Sequence, residues 1–356
     1  MDGTRRAILR TLILGGLAAR GARTAEAQGP RRFLPEVPPE IPPEIAGKEG
    51  AGAAGQSSAD LRRFVEDVRM GPGQPHGELL VVWLQGRPGR PLEVATLDEA
   101  RGRGQLAITE RDQVRVPDLV VDNRGKTHVL LLAGEILVGG KQNRVLAEDL
   151  LLPPFSGPRP VGVYCVEARR WNESRRDFES KGSFAAPGLR SQVLSRADQG
   201  RVWSEVDRYA RAAAAPSPTA SFQAVYEKAD VRAHLEATER GLPAPSGILG
   251  AAVFVGDRLV GIDLFHDPAL FGRLWPKLLR AHALEAFGLP ARGGGRVGPG
   301  EGGRRARLRE LLAGIVSAAG QTRGNAGVGH VFEFSLSHFH GAALLFEGRV
   351  PHLVVA

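Results

Sequence analysis

The densest chemical constellation in the sequence is GEILVGGKQNR, residues 134–144, set inside an otherwise apolar stretch. Gly139-Gly140 permits a tight turn or a close backbone approach. Lys141, Gln142, Asn143 and Arg144 follow at consecutive positions, and their donors suit a phosphate, a carboxylate or a purine edge, while Glu135 adds an acceptor. The same residue types also make an ordinary solvated hairpin tip. A second constellation is VYCVEARRW, residues 163–171, where strand alternation puts Cys165 and Glu167 on one face. A thiolate beside arginines is a nucleophile, whereas a lone strand cysteine is also a small core residue. Glu167 with Arg169 or Arg170 forms either an acid/base group or a structural ion pair, and Trp171 either stacks on a base or sugar or simply packs. The third signal is Ser337-His338-Phe339-His340. On a strand, His338 and His340 share a face, a spacing that can bind a divalent metal, with His330, His352 and His266-Asp267 as further ligands. A hydrogen-bonded histidine pair is the competing reading.

These residues must be positioned by a fold that the hydrophobic pattern outlines. Asp60 can cap a short helix, LRRFVEDV, after which 78–84, 105–110, 118–123, 128–137, 144–152 and 161–167 read as strands separated by Gly, Pro, Asn and Asp. Residues 191–214 and 221–240 have helical apolar spacing, and 247–266 reads as a hairpin around Gly256-Asp257. Asp267-Pro268 starts a helix that buries Leu270, Phe271, Leu274, Trp275, Leu278 and Leu279. A low-complexity loop at 291–303 leads into another helix, and strands close the chain. Strand runs and helix runs are segregated, so the fold class expected is α+β. It has a β-rich amino-terminal half of mostly antiparallel character, two central helices, a β-hairpin with helices, and carboxy-terminal strands.

The two polar motifs also carry a resemblance. GEILVGGKQNRVL followed by VYCVEARRW resembles the ADP-ribosylglycohydrolase- and rhodanese-phosphatase-associated protein domain family. QGRVWSEV (199–206), SPTASFQAVY (217–226) and the block at 250–279 are similar to that family's downstream segments, so the likeness runs from about residue 78 to the end. The resemblance implies an α+β domain of unknown activity with gene-neighbourhood links to ADP-ribose metabolism. It implies no established catalytic residues, only that the motif positions line a shared site.

Residues 1–27 read as an export signal. Arg5, Arg6 and Arg10 form a charged region, a short Gly/Ala-rich apolar stretch follows, and Ala25-Glu26-Ala27 gives a cleavage pattern. TRRAILR at 4–10 is similar to the twin-arginine consensus. Residues 28–59, with a doubled PPEI unit and a Gly/Ala tail, read as a linker, which leaves 60–356 as the folded domain. The 356 residues carry 47 Lys+Arg against 39 Asp+Glu, a net +8, yet only 6 of the cations are lysines and the arginines are spread along the chain. That pattern does not argue for nucleic acid. One cysteine excludes an intrachain disulfide framework and a zinc site built on several thiolates. Beyond the signal no apolar run reaches the roughly 18–20 residues of a spanning helix. GPGEGG (298–303) satisfies G-x-G-x-x-G but lacks a preceding strand, and Gly-x-Ser-x-Gly is absent.

The function expected is therefore an exported binding or sensor-type domain, periplasmic or extracellular, with a polar pocket for a small anionic or nucleotide-like molecule. Lys141 and Arg144 would hold phosphate or carboxylate, Gln142 and Asn143 would orient the ligand, and Arg170 and Trp171 would complete the pocket. One alternative is a hydrolase of phosphate or ADP-ribose-type linkages, with Glu135 or Glu167 as acid/base and Cys165 or the His338/His340 pair as auxiliary. Another is a structural envelope interaction domain.

Overall fold

Short apolar runs broken by Gly and lone charges become short strands here, and the longer amphipathic runs become helices. The computed structural model describes residues 51–110, 118–170, 177–287 and 300–356. The described chain opens on α1 (Ala51–Glu66), followed by β1 (Arg69–His76), β2 (Leu79–Gln85), β3 (Val94–Thr96), α2 (Leu97–Gly102) and β4 (Leu106–Glu110). Then come β5 (Asp118–Asn123), β6 (His128–Leu131), β7 (Glu135–Gly139), β8 (Arg144–Leu146), β9 (Leu150–Leu152), β10 (Gly157–Cys165) and β11 (Phe178–Phe184). Helices α3 (Pro187–Leu194), α4 (Gln199–Ala212), α5 (Gln223–Glu227) and α6 (Ala229–Gly241) precede the hairpin β12 (Gly250–Val255) and β13 (Arg258–Phe265). The chain continues through α7 (Pro268–Ala286), α8 (Gly300–Val316), β14 (Gly320–Gly324), β15 (His330–Leu336), β16 (Phe339–Phe346) and β17 (Arg349–Val355). The α+β class with a β-rich amino-terminal half is what the sequence pattern implies.

Three sheets organise these strands: an eight-stranded sheet in the order β1-β2-β12-β13-β17-β16-β15-β14, a six-stranded sheet β11-β7-β8-β10-β5-β4, and a three-stranded sheet β3-β6-β9. Among the described pairings, β3 with β6 is parallel and the others are antiparallel. The eight-stranded sheet is covered on both faces, which is why β2 reads as an unbroken apolar run. Val81 and Trp83 join one core, where the Trp275 ring of α7 meets Trp83 edge-on at 5.2 Å. Val82 and Leu84 join the other, under α1 and α8 with Leu61, Val65 and Leu308. A third core fills the space between the two smaller sheets around Ile108, Val121, Leu131, Leu150 and Phe178.

The structure departs from the sequence reading at several places; one is the run 221–240, read as a single helix, which divides into α5 and α6 because Lys228 takes an extended backbone at ψ 133°. The helix expected from Asp60 begins at Ala51, so 51–59 belong to the fold rather than to the linker. Asp60 sits within it, accepting from Gln56 Nε2 and Arg63 Nη2 instead of capping. Residues 300–303, assigned to the low-complexity loop, form the first turn of α8. The run 191–214 divides into α3 and α4 because Arg196 takes φ +53° and Asp198 caps α4 through Arg201 N–H. The runs 128–137 and 144–152 each divide in two. β6 and β9 pair in the small sheet while β7 and β8 pair in the six-stranded one, so both chains change sheet side by side, at 132–134 and 147–149. Gly134 makes the first crossing possible: its φ is +102°, and a Cβ there would lie 2.7 Å from the Phe184 ring. The export signal and residues 28–50 of the linker lie outside the described residues. Among the described residues no helix is long and apolar enough to cross a membrane.

Because α1 supplies Leu61, one of the most buried residues of the second core, Leu61→Ala should lower stability by roughly 2–5 kcal/mol in urea unfolding. A loss within about 0.5 kcal/mol would mean that α1 is peripheral.

Candidate functional site

The Gly-Gly-Lys-Gln-Asn-Arg turn joins β7 to β8, and its own neighbours lock it. β10 pairs with β8 so that Cys165 faces Arg144, and Val166 N–H donates to Asn143 O just beyond the strand. This brings VYCVEARR onto the turn. Arg170 then reaches over it: Nη1 donates to Gly140 O at 2.7 Å, Nη2 to Gly139 O and Asn143 Oδ1 at 3.1 Å, and Nε to Glu167 Oε2 at 2.9 Å. Glu167 Oε2 also accepts from Asn143 N–H at 3.1 Å, and Asn143 Nδ2 donates to Ser221 Oγ. Burial would raise the Glu167 carboxyl, but Arg170, Thr219 and the Asn143 amide outweigh it and hold the group ionised below its usual range. Glu167 thus latches the turn as a permanent carboxylate, a poor state for a general acid. Gln142 and Arg144 are buried, and Arg144 Nη1 donates to Gln142 O and Oε1 at 3.0 and 3.2 Å. Glu110 Oε1 accepts Lys141 N–H at 2.9 Å and lies 3.7 Å from Arg144 Nη2. The Lys141 side chain is half-buried and, among the described residues, makes no hydrogen bond or ion pair.

Cys165 is buried, and burial pushes its thiol up, with Arg144 only partly opposing. Gln199 clamps its backbone, donating to Cys165 O and accepting from Cys165 N–H at 2.8 and 2.9 Å. A neutral, enclosed thiol is packing, not a nucleophile. Trp171 lies outside the described residues.

Glu135 stands at the far end of β7, away from the turn. Its Oε2 accepts Leu132 N–H at 2.9 Å and its Oε1 meets Lys277 Nζ of α7 at 2.7 Å. Lys277 also donates to Asp98 Oδ2 and Ser180 Oγ at 2.9 and 3.3 Å. Burial would lower the Lys277 ammonium, but Glu135 and Asp98 more than compensate and keep it charged. The sequence reading that adds Glu135 as an acceptor to the Lys141 turn fails because β7 separates them, Glu135 opening the strand and the turn following its other end.

A second polar network lies at the crossing where the two chains change sheet, and the motif reading missed it. Asp149 Oδ1 accepts Ala133 N–H at 2.8 Å, and its Oδ2 meets His352 Nδ1 at 2.6 Å. His352 Nε2 meets Asp263 Oδ1 at 3.1 Å, Arg190 Nη1 donates to the same oxygen at 2.6 Å, and Arg190 Nε returns to Ala133 O at 3.0 Å. The ring closes on the two backbone groups of one residue. All four side chains are buried. Burial would raise Asp263, yet Arg190 and the two histidines facing it hold it well below the usual range. Burial would lower His352, and its two carboxylate neighbours raise it instead. Asp263 and His352 stand inside apolar runs (VGIDLFH, PHLVVA) and Asp149 follows Glu148 inside a third (LAEDLLL), which was the signal available in the sequence, whereas Arg190 carried none. Beside the ring, Glu148 lies 3.7 Å from Arg196 Nη2, its side chain 13% exposed, and burial raises its carboxyl to about 7.

The histidine expectation is corrected. Ser337, at φ +54°, and His338 form the β15–β16 turn, so His338 and His340 do not share a strand face. His338 packs on Phe339 at 4.3 Å, and His340 Nδ1 meets Ser335 Oγ at 3.2 Å. Among the described residues no group of three or more His, Cys, Asp or Glu side chains is placed to hold a metal ion.

Fold and motif together define an α+β domain built on sheet-changing strands, with a latched Gly-Gly-Lys-Gln-Asn-Arg turn. The sequence matches the ARG and Rhodanese-Phosphatase-superfamily-associated Protein domain over residues 67–356, and the chain belongs to that family. No curated protein and no solved structure shows significant similarity to it.

Two outcomes follow. Lys277→Met leaves Glu135 buried without its cation, and should cost roughly 3–5 kcal/mol in chemical denaturation. Adding Glu135→Gln should restore much of it, and a double variant as unstable as the single one would refute the pairing. For Glu148, a folded pKa of about 7 against 4.5 means the native state binds the proton more tightly. Its contribution is present below pH 4.5 and lost as pH rises to about 7. Glu148→Gln should therefore flatten the fall in stability over that window by on the order of 1–3 kcal/mol. Parallel stability–pH curves for the two proteins would contradict this.

Proposed function

We propose that the chain is an exported domain, periplasmic or extracellular, that binds a small anionic or nucleotide-like molecule at the Lys141 turn. One observation carries this reading. Three cations, Lys141, Arg144 and Arg170, meet two carboxylates, Glu110 and Glu167, and the surplus charge rests on Lys141, whose side chain has no hydrogen-bond or ion-pair partner among the described residues. Arg144 Nε, three residues further along the motif, is likewise without a hydrogen-bond partner, and it is buried. Phosphate or carboxylate is the complement of such a seat. The turn is rigid before any ligand arrives, which lowers the ordering cost of binding.

Binding is favoured over catalysis because Glu135, Glu167 and Cys165 are each held in a framework role. A hydrolase of phosphate or ADP-ribose-type linkages has one observation on its side: Glu148, an acid that titrates near neutrality and is partly open to solvent.

Thermal-shift measurements with ADP-ribose, nucleotides, sugar phosphates and inorganic phosphate test the proposal. At least one should raise Tm, and Lys141→Ala should abolish the rise while leaving the ligand-free Tm within a few degrees. No shift from the panel, or a shift that Lys141→Ala leaves intact, would overturn it. Turnover of a panel member that Glu148→Gln abolishes would establish the hydrolase instead.

A further inference from the structure

Two buried side-chain nitrogens near the ring have no hydrogen-bond partner: Arg190 Nη2 and His282 Nδ1. Both residues line a chamber of about 10 Å³, room for a single oxygen atom with its hydrogens, walled otherwise by apolar side chains such as Phe184 and Leu278. Buried polar groups are satisfied in folded proteins, so this chamber calls for an occupant. Its chemistry is set by the two nitrogens. Arg190 can only donate. His282 Nε2 faces Asp263 Oδ2 at 3.6 Å, so the imidazole lies between that carboxylate and the chamber it lines. A hydroxyl fits this pair whichever nitrogen of the imidazole carries the proton, because it accepts from Arg190 and can either donate to or accept from His282 Nδ1.

Pro187, Val260 and Ala356 line both this chamber and a larger cavity of about 230 Å³. The larger cavity presents Glu205 and Glu285 against Arg208 and Arg258, two carboxylate and two guanidinium side chains, with His338 beside them. They are already ordered: Arg208 Nε donates to Glu205 at 2.7 Å, and buried Glu285 takes Arg208, Arg258 and the Tyr209 hydroxyl. Ser191 and Gln192 add neutral donors and acceptors, while Leu259, Val260 and Phe339 give an apolar wall. Fixed carboxylates and guanidiniums facing an apolar wall suit a ring that carries hydroxyls on its edge and C–H groups on its face.

We propose that this cavity is a binding site for a neutral polyol or monosaccharide, one hydroxyl of which occupies the chamber between Arg190 and His282. The site is independent of the Lys141 turn and differs from it in charge balance.

Isothermal titration and saturation-transfer NMR on the full chain, with glucose, xylose and mannitol as probes and lactate and inorganic phosphate as controls, test this. At least one polyol should bind saturably and the controls should not compete. Arg258→Ala, at an exposed rim position that leaves Glu285 its other two partners, should weaken binding by about tenfold. Gln192→Ala should weaken it as well, and Lys141→Ala should leave it unchanged, which separates this site from the anion seat. A crystal grown with the tightest polyol should show its hydroxyl oxygen between Arg190 Nη2 and His282 Nδ1. The proposal is overturned if none of the three polyols binds saturably. It is also overturned if both rim variants bind like the parent, or if the chamber holds a lone water while the larger cavity stays free of polyol.

Discussion

The arrangement depends on a closed ring of four buried charges. Asp149, His352, Asp263 and Arg190 run from the amide nitrogen of Ala133 around to its carbonyl oxygen. Ala133 lies where β6 ends and the chain crosses to β7, so neither of its backbone groups can join a ladder in the usual way. An unpaired backbone group buried at that point would cost as much as a lost hydrogen bond. Asp149 sits on the neighbouring crossing, from β8 to β9, and so ties the two crossings together while His352 and Asp263 tie them to the eight-stranded sheet. Two anions face two cations, so the ring is neutral, and each carboxylate oxygen that takes part has a directed donor. A buried pair of this kind adds little net stability against an apolar replacement, but removing one member leaves a charge stranded. The ring therefore acts mainly as a register lock, fixing where the strands change sheet.

What that corner positions is the β7–β8 turn. The side chains there resemble a set of phosphate donors because a guanidinium that can hold a phosphate can equally hold two carbonyl oxygens and a carboxylate. Arg170 does the latter, gripping Gly139 O, Gly140 O, Asn143 Oδ1 and Glu167 together. Asn143 and Glu167 are used in the same internal way. Sequence spacing cannot separate these uses, because residue type states what a group can bond to and not whether a backbone partner reaches it first. Lys141 differs because its side chain makes no hydrogen bond or ion pair among the described residues.

The α+β class, the hairpin at 247–266 and the long helix after Asp267-Pro268 were legible because each rests on a local signal: segregated periods, a Gly-Asp turn, a proline at the first helical position. The divisions at 132–134 and 147–149 were not. An apolar run that changes sheet keeps its hydrophobicity throughout, and the change is marked only by Gly134 and by the isolated acids Glu135, Glu148 and Asp149. Lys277 was hidden for a related reason. It falls within the apolar helix face that Leu274 and Leu278 define, and its partners Glu135 and Asp98 are distant in sequence. His338 and His340 were misplaced because strand alternation was extended across a turn that begins one residue earlier, at Ser337.

Arg190 belongs both to the ring and to the wall of the chamber beneath the larger cavity. Its Nε and Nη1 are used in the ring, and its Nη2 is the donor left over. Asp263 is shared in the same way, facing His352 through one oxygen and His282 through the other. The ring and the chamber are thus two sides of one Arg–Asp pair. A hydroxyl oxygen accepting from Nη2 would satisfy that nitrogen without disturbing the two bonds that hold the corner. The guanidinium that locks the corner is thus the same one that walls the chamber, while the Lys141 turn lies outside the ring and takes no part in it.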